Sequence, residues 1–404
     1  IPTNEVIGRF QAHHETNLSD HLIIPGFINA HTHSAMSLFR GIDDDMSLKS
    51  WLEKHIWPLE HKFVNGEFVS DGTGLAICEM IRSGTTCFAD MYFFPESTAE
   101  IVSESGIRAR LGMIITDFPT RWAANIDEYF SKGLKFADNY KHHPLISVQF
   151  APHAPYTVSD GPLKRAQMLS TELGIQIQIH LHETETEINE AVESTGKRPL
   201  QRLEELGLLG PDLQAVHMTQ LNPQEIELLS AYGVHVIHCP ESNMKLASGA
   251  CPVEDLLGSG VNVALGTDGA ASNNDLDMLG EMKSAALLAK LTAKDATAVS
   301  AFTVLEMATI NGARALAMDK EIGSLEIGKQ ADIIAINMSA IEQQPMYNPI
   351  SQLIYSSDRK QITDLWVAGK HLMKNRQLTT LNLQAILATT KEWQQKLKQQ
   401  DNQL

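Results

Sequence analysis

The chain is poor in cysteine: four in 404 residues, at Cys78, Cys87, Cys239 and Cys251. No two form a C-x-x-C pair, so neither a cysteine-ligated zinc site nor a disulfide framework is expected. They read as buried, reduced thiols of a cytoplasmic protein. Positive charge is also scarce. Lys and Arg number 32 against 49 Asp and Glu, a formal net charge of −17. Nucleic acids and anionic membranes are met by basic patches, so neither is expected as a partner. No apolar run approaches the roughly 20 residues of a membrane span. No signal peptide is read at the amino end, although the opening Ile1 in place of methionine is consistent with a trimmed start. A glycine-rich phosphate turn is missing after the first apolar strand, which argues against an open, doubly wound dinucleotide fold.

What remains is ordinary in bulk and informative in order. A hydrophobic content of 43% and a charged content of 20% suit a soluble protein with a large core. From Pro25 to about Asp268 an apolar strand and a helical segment alternate eight times. The strands are expected at Gly26–His33, Thr85–Met91, Arg108–Thr116, Leu145–His153, Ile175–Glu183, Leu213–Thr219, Val234–Cys239 and Val261–Thr267. Asp71–Arg82 and Pro223–Tyr232 carry helical apolar spacing between them. Repeated βα units imply a parallel sheet, and eight of them favour a (β/α)8 barrel, an α/β fold of the TIM type. Helices follow at Asn274–Lys290 and Val299–Ala317. Short strands with glycine turns then appear around Ile333–Ile336 and Asp364–Lys370, as in a small β-sandwich domain built from both chain ends. The expected division is 1–25 and 321–380 for that domain, 26–320 for the barrel and 381–404 for a terminal helix.

Polar residues gather where the apolar strands stop, the place at which barrels of this type carry their chemistry. His31 and His33 sit two apart and share one face of a strand. An isolated H-x-H pair is as often structural, but this one ends an apolar run, Pro25–His33. His180 offers a third nitrogen, and Asp268 a carboxylate that would otherwise read as a helix cap. Three imidazoles and a carboxylate suit one divalent ion, zinc first and iron second, with room for a water to activate. Glu183 lies close enough to move protons, and His217 to bond or deprotonate the water. His182 shares the His180 face and is weighed more as structure than as ligand; His235 and His238 are read as structural or supporting. His13, His14, His142 and His143 are read as surface residues. The fourth strand ends Phe150-Ala151-Pro152-His153 with no lysine, so a bridged two-metal centre is not expected.

With these residues assembled, the chain resembles the amidohydrolase superfamily. It is most similar to the 5-methylthioadenosine/S-adenosylhomocysteine deaminases, in the group that also holds triazine hydrolases and guanine deaminases. The motifs are Pro25–His33, Ala151–Tyr156, His180–Thr184, His238–Leu246, Gly266–Asn274 and Gly323–Asp332, nearly the whole chain. The resemblance implies metal ligation by His31, His33, His180 and Asp268, a proton shuttle in Glu183, a His217 that orients or deprotonates the water, and so a catalytic set of Glu183, His217 and Asp268. It implies substrate contacts from Glu60, matching a ribose-hydroxyl contact, and from His153, with Glu183 and Asp268 also facing the substrate. The implied reaction is hydrolytic deamination of adenine nucleosides: 5-methylthioadenosine, S-adenosylhomocysteine or adenosine. The partner is thus a small nucleoside, with a homo-oligomer as a family expectation. Deamination of guanine or another base, and triazine hydrolysis, are alternatives on the same centre; a non-catalytic assembly role is a remote one. One feature departs from the pattern. Where some members place an Arg after the third strand, this chain reads Ile115-Thr116-Asp117-Phe118-Pro119, with Arg121 as the candidate substitute. Trp51, Trp57 and Phe93 are candidates for an apolar wall around a methylthio group, or for the core.

Overall fold

The structure, a computed structural model, describes residues 15–42 and 44–401. The first fourteen residues, including His13 and His14, and the last three lie outside the described residues. All eight expected strands form. They are β2 (Phe27–Thr32), β3 (Thr85–Asp90), β4 (Arg108–Ile115), β5 (Ile146–Pro152), β6 (Ile177–Leu181), β7 (Leu213–His217), β8 (His235–His238) and β9 (Val263–Leu265). Neighbours in this order pair in parallel within one 8-stranded sheet. The outward residues, such as Ile177, Ile179, Leu213 and Ala215, are buried under the surrounding helices, which is why the strands read as apolar runs.

The barrel closes between its first and last strands through side chains as well as backbone. Asn29 Nδ2 donates to Thr267 Oγ1 at 2.7 Å, and Thr267 N returns a bond to Asn29 Oδ1 at 3.0 Å. One step on, Asp268 N donates to the His31 carbonyl at 3.0 Å. The seam is tight. A Cβ on Gly266 would lie 2.8 Å from both the Cβ and the N of His31, so only glycine lets the strands meet there.

A second, antiparallel sheet takes strands from both regions that the sequence marked: β1 (His21–Pro25), β10 (Ile333–Asn337), β11 (Ile362–Val367), β12 (Lys370–Lys374) and β13 (Gln377–Leu378). β1 pairs with β10 in register His21↔Asn337 to Pro25↔Ile333. Among the described residues this is a single five-stranded sheet rather than two facing layers. It is tied to the barrel by a buried ion pair, in which Arg108 Nε donates to Asp332 Oδ2 at 3.0 Å and Nη2 to Oδ1 at 3.3 Å.

The helices differ from expectation mainly at their ends. Gly66–Arg82 starts earlier than the expected Asp71 because Asn65 caps it, accepting from Phe68 N. Met278–Ala293 starts later than Asn274 because Asp277 caps Leu279 N. The expected single helix Val299–Ala317 is two, Ala301–Met307 and Ile310–Ala315, broken at Thr309. The break lets the second helix turn onto the barrel: a Cβ on Gly312 would come 2.9 Å from Ile28 Cβ. Helix Pro223–Tyr232 has the expected bounds, set by a capping box of Asn222 and Glu225 and by Gly233.

Candidate metal centre and substrate cavity

Four of the expected residues converge at the carboxyl ends of the strands. Ligand atoms of His31, His33, His180 and Asp268 all lie within 4.8 Å of one another. Backbone geometry is unusual there: His182, His217, Met218 and Asp268 all have positive φ, between 50° and 79°. Non-glycine residues adopt that region at a cost, and such outliers concentrate at functional sites.

Each imidazole is held by its Nδ1. His33 Nδ1 meets the Met91 carbonyl at 2.6 Å, and His180 Nδ1 the His153 carbonyl at 2.7 Å. His31 Nδ1 meets Gln178 Oε1 at 2.8 Å. A carbonyl oxygen only accepts, so every Nδ1 carries a hydrogen and, in the neutral ring, Nε2 is a bare lone pair. His31 Nε2 and His180 Nε2 nevertheless face each other at 3.1 Å. Two lone pairs at that distance repel unless a cation lies among them. Asp268 Oδ1 closes the cluster, 3.2 Å from His33 Nε2 and 3.5 Å from His31 Nε2. Its other oxygen accepts from Ser242 Oγ at 2.7 Å and Ser272 Oγ at 2.8 Å. Burial works to raise the Asp268 carboxyl, but the His31 and His33 contacts hold it well below the usual carboxylate range. The donor set thus fits one divalent ion bound through nitrogen and oxygen.

Glu183 and His217 border this cluster, with His217 Nε2 3.7 Å from Glu183 Oε2. Burial pushes the Glu183 carboxyl well above its ordinary value, and the Asp268 and Glu187 carboxylates add to the shift. His217 is pushed down to about 3, chiefly by burial, so it is neutral at pH 7. Asn243 Nδ2 donates to its Nδ1 at 3.0 Å, which leaves the hydrogen on Nε2, aimed at the site. His153 is likewise pushed down to about 3, by burial and the neighbouring imidazoles, and its Nδ1 bonds Thr157 Oγ1 at 2.9 Å.

The cavity runs from these groups to Glu60, on helix Trp57–Phe63. Tyr92 donates its hydroxyl to Glu60 Oε1 at 2.8 Å. Burial raises the Glu60 carboxyl to about 7, against the Tyr92 bond, which lowers it. Trp51, Trp57, Phe93 and Phe118 line the same cavity. On the far side of Glu60 a second cavity, an annex, shares Trp57, Phe93 and Phe118 with it and is also walled by Phe94, Pro119 and Trp122. Arg121 also borders the annex, but its Nη1 is bonded to the Lys62 carbonyl at 3.0 Å.

Other histidines are placed elsewhere. His182 Nε2 accepts from Leu200 N at 3.0 Å, which makes it a buried anchor for the following helix. His235 bonds Asn262 at 3.0 Å at the amino end of β8. His238 is buried at the other end of that strand, and His142 is exposed. Several supporting residues are not singled out by sequence. Glu187 accepts from the backbone N of His182 and Glu183 at 3.0 and 2.7 Å and so fixes the Glu183 peptide. Ser242 and Asn243 lie inside the His238–Leu246 motif, which is the signal that could have marked them. Tyr92 and Gln178 carry no comparable signal.

A (β/α)8 barrel with a mixed imidazole–carboxylate cluster at its carboxyl end defines a metal-dependent hydrolase scaffold. The chain belongs to the amidohydrolase family, whose model matches residues 22–372. It is 52% identical over 397 residues to the 5-methylthioadenosine/S-adenosylhomocysteine deaminase of Teredinibacter turnerae, covering 98% of this chain and 90% of that one. It is 50% identical to the enzyme of the same description from Saccharophagus degradans, over 99% of this chain and 90% of that one. A crystal structure of an adenosine deaminase from Xanthomonas campestris with bound zinc superposes with a TM-score of 0.98 at 48% identity, covering 99% of this chain and 91% of that one.

Proposed function

We propose that the protein is a hydrolytic deaminase of adenine nucleosides, acting on 5-methylthioadenosine in preference to S-adenosylhomocysteine. The observation that carries the reading is the His31–His33–His180–Asp268 cluster facing a cavity whose far end holds Glu60. The relatives' shared description supports the substrate class. His31, His33, His180 and Asp268 would hold one ion, zinc as in the Xanthomonas structure, with iron the alternative. A bound divalent ion supplies Lewis acidity and brings the pKa of water toward neutrality.

The protein's own groups do the rest. Glu183, protonated because it is buried, gives its proton to the ring nitrogen beside C6 and makes that carbon electrophilic. It then takes a proton from the attacking water and passes it to the departing amine. Water adds to C6, the C6–N bond breaks as the amine takes that proton, and the hydroxyl proton left on the C6 oxygen returns to Glu183; the products are ammonia and the inosine analogue. His217, neutral with its hydrogen on Nε2, orients by donating; this geometry suits it less as a base. Asp268 accepts hydrogen bonds at the water's position. Glu60 grips the ribose diol with its two oxygens, and His153 contacts the purine or sugar.

The annex explains the proposed preference. An aromatic wall favours an uncharged thioether, whereas the zwitterionic homocysteine group would have to give up water against it. The four buried cysteines agree with a cytoplasmic location. The test is steady-state ammonia release on 5-methylthioadenosine, S-adenosylhomocysteine, adenosine, guanine and a chlorotriazine. Highest kcat/KM on 5-methylthioadenosine is expected. No turnover of any adenosine derivative overturns the reading; equal turnover of the two thioethers overturns only the preference.

A further inference from the structure

Two of the three imidazoles are oriented by backbone carbonyls, which can only accept. His31 is different. Its Nδ1 faces a side-chain amide, Gln178, which could present either its oxygen or its NH₂. If the NH₂ faced His31, the lone pair would move to Nδ1 and the hydrogen to Nε2, and Nε2 could not bind a metal. Something must fix the Gln178 amide.

The barrel interior contains the means. Gln178 Nε2 donates to the Ala30 carbonyl at 3.0 Å and to Gln214 Oε1 at 2.7 Å. Gln214 Nε2 donates in turn to Gln176 Oε1 at 3.2 Å. Gln176 Nε2 donates to the Ala315 carbonyl at 3.1 Å, and its Oε1 also accepts from Arg110 Nη1 at 2.5 Å. Gln178 and Gln214 are fully buried and Gln176 and Arg110 nearly so, in a place where barrels usually pack branched apolar residues. Buried amides are costly unless bonded, so a continuous ladder of them is not ordinary filling.

The ladder has one direction. A guanidinium has no acceptor, so Gln176 must turn its oxygen toward Arg110. That oxygen then draws the Gln214 NH₂, and the Gln214 oxygen draws one hydrogen of the Gln178 NH₂; the Ala30 carbonyl, which only accepts, takes the other, and the Gln178 oxygen is left for His31. Reversing Gln214 would set NH₂ against NH₂ and oxygen against oxygen. We propose that Arg110, Gln176, Gln214 and Gln178 are positioning residues which, as one directional ladder, fix the hydrogen of His31 on Nδ1 and present its Nε2 to the metal. This rests on the metal-binding reading above.

The experiment measures zinc affinity of the apo-protein by competition with a chromophoric chelator, with the visible spectrum of the cobalt form as a second readout. Gln214→Met should weaken zinc by about 10-fold, the low end of the range for residues that orient a ligand, because the Ala30 carbonyl still holds one hydrogen of Gln178. Arg110→Met should weaken it less. The double variant should be no weaker than Gln214→Met alone, because either change cuts the same ladder. Arg110→Lys, which restores a donor, should recover affinity. Gln149→Met alters a fully buried β5 amide that belongs to no rung, and should leave affinity unchanged. Thermal unfolding of each apo-variant identifies any that fail to fold, and the conservative Arg110→Lys keeps the test open in that case. Wild-type affinity and an unaltered cobalt spectrum in Gln214→Met overturn the inference. So do additive losses in the double variant, or an equal loss in Gln149→Met. If the wild-type protein itself binds no zinc, the metal-binding reading fails instead.

Discussion

The two ends of the cavity are built in opposite ways. The reaction end is made of strand termini: His31, His33, His180, His217 and Asp268 lie at or just past the ends of β2, β6, β7 and β9, with every Nδ1 and both Asp268 oxygens hydrogen-bonded. The recognition end is made of a short helix and loops, and its polar feature is one carboxylate, Glu60, with Tyr92 beside it, set among aromatic rings. The contrast separates two tasks. Chemistry needs fixed geometry, and a barrel rim supplies it; selection among 5′ groups needs only shape and polarity, which loops can change without disturbing the rim.

That division can be broken at several points. Asp268→Ala should be the most damaging, leaving metal below about 0.1 equivalent by elemental analysis and no measurable deamination, because a ligand is lost. Full metal content in that variant would erase the distinction between the ends. Glu183→Gln should lower kcat by roughly 10²–10⁴-fold while metal content stays at the wild-type level, since only proton transfer is removed. A parallel loss of metal would assign Glu183 to ligation. Glu60→Gln should raise KM for nucleosides by roughly 10–100-fold with little change in kcat, as expected for losing about 1.5–3 kcal/mol of charged hydrogen bonding. A fall in kcat with unchanged KM would move Glu60 into the chemistry. Phe118→Ala should have the smallest effect, a loss of about tenfold in kcat/KM on 5-methylthioadenosine with adenosine unaffected, the scale of one hydrophobic contact. An equal loss on adenosine would place Phe118 at the purine rather than at the 5′ substituent.

The same contrast accounts for what could be read in advance. Strand-end residues announce themselves, because a polar residue that stops a long apolar run has few reasons to be there. His180 after Ile175–Ile179 and Asp268 after Val261–Thr267 are such cases. Glu60 was recognisable only through resemblance, since a glutamate on a short helix looks like any solvated one. Phe94, Phe118 and Trp122 become neighbours only when the loops after β3 and β4 fold toward each other, which no local spacing encodes. The glutamine ladder was hidden for a further reason. Gln176 and Gln178 alternate with Ile175, Ile177 and Ile179, a pattern that ordinarily signals a solvated strand face, and only barrel closure turns that face inward. Helix ends depart from the apolar periodicity where a cap outweighs it, as at Asn65 and Asp277.

The pairing of β1 with β10 also has a consequence for how the chain is made. During synthesis His21–Pro25 emerges early, and its partner Ile333–Asn337 only after the whole barrel has been translated. At about 5–20 residues per second the strand waits on the order of a quarter of a minute to a minute. Throughout that interval Leu22 and Ile24 have no sheet to join, and until Leu265 is made the row of parallel strands beside them is incomplete as well. The five-stranded sheet can therefore close only after every barrel strand has been made, the last act of folding rather than the first.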